Sequence, residues 1–542
     1  MNVPLLYHTL KHLRVKQLFY QCWCRLRKRR LVIVDCPFDI KRKWWVKPIG
    51  KPNSLLTNGS FEFVNIRSRY TSWNEQRYGN LWTYNLNYMD WLHQEGLDYK
   101  TGAAWIDRFV EEQTEIHLGM DPYPIALRSI NWIKFISQHW DKIYPEQRKK
   151  WNDSLYSQIL HLEKRLEYHL LGNHLLENLY ALFIASLYFE DERLYKKVYK
   201  LLLRELDEEI LSDGAHYELS PMYHCILLDR LLDCYNFSSQ NICFEGQEQV
   251  TQKLKIYAQR MLGHLDSIVY SCGCDGEKTI PLLNDSACGI SPTYDELCNY
   301  ASRLGIAFHN IPLGECGYRK LTNERMEAIV DVGNITASYQ PGHTHADTFN
   351  FELRIDGTPF IVDTGISTYN KTNRRQYERS TNAHNTVSVE GRNSSEVWGG
   401  FRVGRRARVK ILADTPNKVK ASHDGFKKAL EFGEQCVHER TFDMLTNKWR
   451  VIDNVTGGKP AIAYLHLSPE VKIELCNNDK VQTSVADICF RGASKIEILD
   501  ATVSKEYNIF EETKKIAVHF CDTLETEIIP INSSEISVNC GK

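Results

Sequence analysis

The sequence predicts an α+β protein of several domains, helices first and antiparallel sheet after. Three observations carry this expectation. At 542 residues the chain is longer than one hydrophobic core usually serves. From about Ala103 to Tyr300 the apolar residues recur at helical spacing, as in Leu176, Leu179, Phe183 and Leu187, or in Leu227, Leu231 and Cys234. Beyond about Asn323 the period drops to two: Phe349, Phe351, Leu353 and Ile355 alternate with polar residues, and Val387/Val389 and Val409/Ile411 continue the pattern.

Breaks near Asp121-Pro122, Tyr144-Pro145, Gly172-Asn173, Asp213-Gly214 and Gly273 divide the helical half into six to ten helices. Hairpins of that number, joined by short loops, stack as a solenoid or close into an α/α toroid. In the second half, Asp356-Gly357 turns one strand into Phe360-Ile361-Val362, a hairpin signal, and the run of strands predicts stacked antiparallel sheets. The chain divides accordingly into an arm (1–75), a helical domain (76–322) and a sheet domain (323–542).

Hydrophobic and charged contents of 43% and 25% are those of a soluble globular protein, and a net charge of -1 argues against nucleic-acid binding. Aromatics make up 11%, which large cores explain first and the covering of pyranose faces second. No run of about 18 apolar residues is present, so no transmembrane helix is expected. Met1 to Arg30 lacks the apolar core and cleavage site of a secretory signal, which points to the cytoplasm ahead of the periplasm. The run Arg25-Leu26-Arg27-Lys28-Arg29-Arg30 reads as a solvated basic helix end ahead of a contact with anionic lipid or an acidic partner. The 16 cysteines are scattered, and Cys22/Cys24 and Cys272/Cys274 lack the two-residue gap of zinc knuckles, so reduced thiols are expected.

Four segments hold residues suited to chemistry. In Gly172-Asn173-His174, Asn173 serves either as a helix N-cap or, with His174, as a hydrogen-bonding group for an anionic substrate. In Ser220-Pro221-Met222-Tyr223-His224, Ser220 caps a helix beginning at Pro221 and sets Tyr223 and His224 in its first turn. There the helix dipole would ease proton loss from the phenol, while packing on Leu227 and Leu231 is the plainer account. His343 and His345, two apart, leave the same face if the chain is extended. Asp363 and His384 complete a three-ligand metal set with His345, in a structural more than a Lewis-acid role. Finally, Tyr123 and Arg128 after Asp121-Pro122 could stack on or pair with an acidic sugar, although core packing explains them as well.

Taken in order, Pro122-Tyr123-Pro124 with Arg128 and Trp132, Gly172-Asn173-His174, Glu218 through Tyr223-His224, Asn284-Asp285, Gly342 through Asp347, Val362-Asp363 and Ala383-His384-Asn385 resemble the heparinase II/III family of polysaccharide lyases. The resemblance spans roughly residues 75 to 470. It implies an incomplete α/α toroid followed by an antiparallel β-sandwich, with a cleft between them. It implies β-elimination on a uronic-acid-containing polysaccharide or oligosaccharide. Asn173, helped by His174 or His224, would neutralise the uronate carboxylate. Tyr223 would protonate the leaving oxygen and could also abstract the C5 proton, and His343 would be the alternative base for the opposite C5 epimer. His345, Asp363 and His384 would hold a structural divalent metal, zinc first, and no organic cofactor is implied. The competing readings are a glycoside hydrolase, which needs two carboxylic acids and could draw on Glu177, Glu218 or Asp285, and a non-catalytic glycan-binding protein of surface-polysaccharide assembly.

Overall fold

The computed structural model describes residues 3–26, 30–271, 276–429 and 436–531. Arg27 to Arg29 of the basic run, and Cys272, Gly273 and Cys274, lie outside the described residues. An arm of two helices, α1 (Val3–Leu10) and α2 (Val15–Leu26), precedes an extended stretch and a small hairpin, β1 (Ser60–Phe63) and β2 (Ile66–Arg69). Among the described residues nine α-helices follow before the sandwich: α3 (Asn80–Tyr88), α4 (Tyr99–Glu112), α5 (Pro122–Gln138), α6 (Pro145–Glu163), α7 (Gly172–Phe189), α8 (Glu192–Glu209), α9 (Pro221–Gln240), α10 (Gln247–Ile268) and α11 (Tyr294–Arg303).

The helices form two layers of an incomplete toroid. α3, α5, α7, α9 and α11 touch in succession, and α4, α6, α8 and α10 lie outside them. Sequence assigns the layers: α7 buries every residue except His174, as an inner helix must, whereas α8 buries one stripe through Leu194, Val198, Leu202 and Leu206. Proline at the first position of α5, α6 and α9 starts these helices where the missing N–H costs nothing.

The C-terminal half is a β-sandwich. One sheet is antiparallel in the order β3 (Tyr318–Thr322), β4 (Met326–Asp331), β5 (Phe351–Ile355) and β6 (Thr358–Ile361). The β5–β6 turn is the expected Asp356-Gly357, both residues at positive φ (50° and 77°), the geometry of a two-residue hairpin turn. The facing sheet has ten strands, with Trp449–Val455, Glu511–Pro530 and Ala486–Val503 at its centre. Phe351 of the small sheet meets Phe442 and Trp449 of the large one, ring centroids 5.8 Å apart in both cases, inside one shared core.

Two expectations need correction. Sheet begins at Tyr318 and helix ends at Arg303, so a boundary at 322/323 would cut off β3, whose five residues are too few to display a period. His343 and His345 lie in the loop between β4 and β5, not on a strand. The loop is pinned to the helical domain instead: the His345 amide donates to Asn284 Oδ1 (3.0 Å) and the Asp285 amide to the His343 carbonyl (3.2 Å).

Candidate active site between toroid and sandwich

Asn173 enters the domain junction at the start of α7. Leu171 and Gly172 both take left-handed backbone (φ 64° and 57°) to make the entry, and a Cβ on Gly172 would lie 2.1 Å from Glu218 Oε1. Glycine is therefore what lets Asn173 close on Glu218. The Asn173 backbone N–H donates to Glu218 Oε1 (2.9 Å), and its Nδ2 spans Oε1 and Oε2 (3.1 and 2.9 Å). The same Nδ2 lies 3.3 Å from His343 Nε2, so toroid and sandwich meet at these two side chains. Asn173 is not an N-cap; its Oδ1 is buried without a partner.

Tyr223 stands in the first turn of α9, which Ser220 caps as expected by accepting from the Tyr223 N–H (3.2 Å). Its ring lies on the His343 imidazole, centroids 3.9 Å apart at 30°, and its hydroxyl is 3.3 Å from that of Tyr369. Burial pushes its phenol well above the usual value, and nearby Asp285 and Glu218 add to the rise. The helix dipole does not produce a phenolate here, because desolvation and two carboxylates outweigh it. Tyr223 is a proton donor at rest.

His343 is held from behind. Its Nδ1 meets Asp285 Oδ2 at 2.9 Å, and Asp285 also receives Arg375 through both terminal nitrogens (2.5 and 2.7 Å) and His345 Nε2 on Oδ1 (2.8 Å). Burial alone would raise this carboxyl, yet Arg375 and the two imidazoles outweigh burial and hold it well below the usual range. An ionised Asp285 assigns the proton of His343 to Nδ1 and leaves Nε2 as an acceptor facing Asn173. Glu218 Oε2, 3.3 Å from Nε2, flanks it on the toroid side.

On the toroid wall Tyr123 packs on His174 (4.8 Å) and on Tyr88 (5.9 Å). His174 Nδ1 lies 3.2 Å from Glu167 Oε1; burial would lower its pKa, but that carboxylate outweighs burial and raises it. Tyr123 and His174 therefore sit together, half exposed, near the junction, and Tyr223 is close enough to Tyr123 to perturb its phenol.

Arg128 and His224 do not join them. Arg128 is fully buried and donates to Gln158 Oε1 and to the carbonyls of Asn87 and Gly119, all at 2.8 Å, tying α3, α5 and α6 together. One helical turn beyond Tyr123 and Pro124, it points into the layer and not the cleft. His224 faces the outer layer: Nδ1 accepts from the His216 N–H (3.2 Å), Nε2 lies 3.0 Å from the Met261 carbonyl, and burial holds its pKa far down. Both are structural side chains without a free polar atom for substrate.

The expected metal ligands stand together but are not poised as foreseen. Asp363 Oδ2 accepts from His384 Nδ1 (2.8 Å) and Asn350 Nδ2 (2.5 Å), and Oδ1 from the Gly365 N–H (2.9 Å), so its oxygens are engaged. His345 and His384 face each other at 5.2 Å. Three buried atoms here lack partners: His345 Nδ1, His384 Nε2 and Asp347 Oδ2. Two imidazole nitrogens and a carboxylate oxygen suit a borderline divalent cation. A different group, Asp213, His264 and Cys316, is the one among the described residues whose donor atoms all approach within 4.8 Å, and it too could hold a metal.

Sequence reasoning took Glu218 and Asp285 as members of matching segments or as hydrolase acids, and missed Arg375 and Tyr369 altogether. Arg375 sits in a short helix, Asn373–Glu378, with no periodicity to mark it. Its signal would have been a carboxylate needing a partner.

A helical toroid joined to a β-sandwich, with an amide, a phenol and a carboxylate-held imidazole at the junction, defines a two-domain protein equipped for acid–base chemistry. The chain belongs to the heparinase II/III family: residues 62–291 match "Heparinase II/III N-terminus" and residues 309–532 match "Heparinase II/III-like, C-terminal". A heparin-sulfate lyase of Pedobacter heparinus is 23% identical over 354 residues, 60% of this chain and 50% of the relative. One of Bacteroides thetaiotaomicron is 23% identical over 239 residues, 37% and 34% respectively. The matches thus span half or less of these relatives' own length. Among solved structures a heparinase III shares the fold at a TM-score of 0.64 (16% identity, covering 84% of this chain and 77% of that one). A heparan sulfate lyase of Pedobacter heparinus does so at 0.56 (15% identity, 95% and 88%).

Proposed function

We propose that this chain is a polysaccharide lyase that cleaves a uronic-acid-containing polysaccharide or oligosaccharide by β-elimination. The observation carrying the reading is the junction at which Asn173 and Tyr223 both touch His343, although 170 residues separate Asn173 from His343. In the reaction the C5 proton leaves, its electron pair forms the C4–C5 double bond, and the C4–oxygen bond breaks as that oxygen takes a proton. The C5 proton becomes acidic enough only when the adjacent carboxylate is neutralised. One N–H of Asn173 is held by Glu218; the other, aimed at His343 Nε2, is the donor for that carboxylate, and His174, whose charged form burial opposes and Glu167 favours, stands nearby. His343 Nε2, with Nδ1 engaged by Asp285, serves as base for one C5 epimer. Tyr223, protonated at rest, hands its proton to the leaving oxygen. Each acid–base role contributes on the order of a hundred- to ten-thousand-fold.

A glycoside hydrolase is the weaker reading because its acids are spent: Asp285 is closed by Arg375 and two histidines, and Glu218 by Asn173. Glu177 is buried without a hydrogen-bond partner, 3.9 Å from Arg230, on the inner helix. His345, His384 and Asp347, with Asp363 hydrogen-bonded to His384 behind them, would hold a divalent ion, zinc by donor chemistry. Such an ion would brace the loop that carries His343. We assign the protein to the cytoplasm, where oligosaccharides or a self-made polymer would be its substrates.

Incubation with heparan sulfate, hyaluronan, alginate and bacterial capsule glycans tests the activity. The expected result is a product absorbing in the near ultraviolet, the signature of a conjugated uronate. Saturated reducing ends without that absorbance would mean hydrolysis, and no turnover on any uronate polymer would favour binding.

A further inference from the structure

The arm is built inside out. In α2 the residues turned toward the protein are Gln17, Tyr20, Gln21 and Cys24, and Gln17 is buried with its Nε2 on the carbonyls of Leu170 (3.2 Å) and Tyr339 (3.1 Å). The residues turned outward are Val15, Leu18, Phe19, Cys22, Trp23 and Leu26, one apolar stripe at helical spacing. Val15, Phe19 and Leu26 are 83%, 61% and 80% exposed, and the rings of Phe19 and Trp23 are stacked. In α1, Val3, Tyr7 and Leu10 repeat the pattern, exposed one turn apart. α2 docks through Gln17 and the ring of Tyr20, and among the described residues Val15, Leu18, Phe19 and Leu26 are left showing their apolar surface to water.

Charge identifies the partner. Residues 1–34 hold eight of the 67 Lys and Arg and none of the 68 Asp and Glu, so the remainder, 59 against 68, is net -9. Lys11, Lys16, Arg25 and Arg30 are exposed beside the stripe. Burial, with Arg406, Lys11 and Arg408 close by, pushes His12 down to about 4, which registers how positive the surroundings are. An apolar face rimmed by cations matches a membrane whose headgroups are anionic. Two copies pairing through the stripe would press two basic arms together. None of the described helices is long and apolar enough to cross a membrane, so the contact is peripheral.

We propose that α1 and α2 are an interfacial anchor that seats the protein on an anionic lipid bilayer. The anchor is coupled to the cleft: Leu170 leads into Asn173 and Tyr339 into His343, and Gln17 holds both carbonyls. The inference stands on the arm alone and does not depend on the chemistry of the cleft.

The test is co-sedimentation of the full chain with phosphatidylcholine vesicles, with and without phosphatidylglycerol. Binding is expected with phosphatidylglycerol only, weakening about fivefold for each of Lys11→Gln and Arg25→Gln. Phe19→Ser/Leu26→Ser should weaken it by at least about tenfold while thermal unfolding stays unchanged, since both side chains are exposed. Equal sedimentation of parent and double variant, or no binding at low salt, would overturn the proposal. So would self-association in solution that the double variant abolishes, because the stripe would then cover a second copy.

Discussion

Two carboxylate–histidine clusters adjoin at His345, and they differ in completeness. Around Asp285, Arg375, His343 and His345 occupy the carboxylate fully. Next door, Asp363 is joined to both Asn350 and His384, yet His384 Nε2, His345 Nδ1 and Asp347 Oδ2 have no hydrogen-bond partner among the described residues. A buried polar atom left unpaired costs about 1–3 kcal/mol, so a water or a cation engaging these atoms would stabilise the second cluster. Asp347, pushed up to about 6 by burial and then by Asp363, is a group that a cation there would relieve. The first cluster is closed by its own side chains; the second keeps unpaired polar atoms that the proposed divalent ion would engage.

The largest effect should come from the reaction the complete cluster serves. Tyr223→Phe removes the proton donor and should lower turnover by on the order of a hundred- to ten-thousand-fold with substrate binding nearly intact, measured as kcat and KM on whichever uronate polymer is cleaved. Unchanged kcat would remove Tyr223 from the mechanism.

Next is the keystone of the complete cluster. Asp285→Asn leaves Arg375 buried without its counter-charge and should cost about 3–5 kcal/mol in denaturant unfolding. The sign with pH follows from the depressed carboxyl. Its stabilisation is complete above the ordinary aspartate value of 3.8 and is lost as pH falls through the lower folded-state value. The parent should therefore destabilise more steeply in strong acid than the variant, and parallel curves would break the account.

The smallest effect tests the open cluster. His384→Ala should abolish stoichiometric zinc in elemental analysis and remove the rise in Tm that added zinc gives the parent, leaving Asp285 and its partners untouched. Retained zinc would move the metal to another group, with Asp213, His264 and Cys316 next in line.

Much of the site was legible because several roles are local. Ser220-Pro221 fixes a helix start by capping chemistry, and Tyr223 follows in its first turn. Asp356-Gly357 fixes a turn through its backbone angles. Arg128 and His224 misled for the same reason in reverse: their residue types suit substrate binding, and only the facing helices show that their nitrogens are consumed inside the layers. Arg375 and Tyr369 carried no local mark, since their meaning lies in Asp285 and Tyr223, 90 and 146 residues away.

By itself the sequence determined the succession of helices and strands, the residue types available for acid–base work and the charge imbalance of the arm, all of which follow from spacing and composition. Tertiary structure alone decided which carboxylate backs His343, which face of α2 meets water and which donors remain unpaired. Those are properties of contact between distant segments, where burial and pairing, not residue type, set the free energy of each polar group.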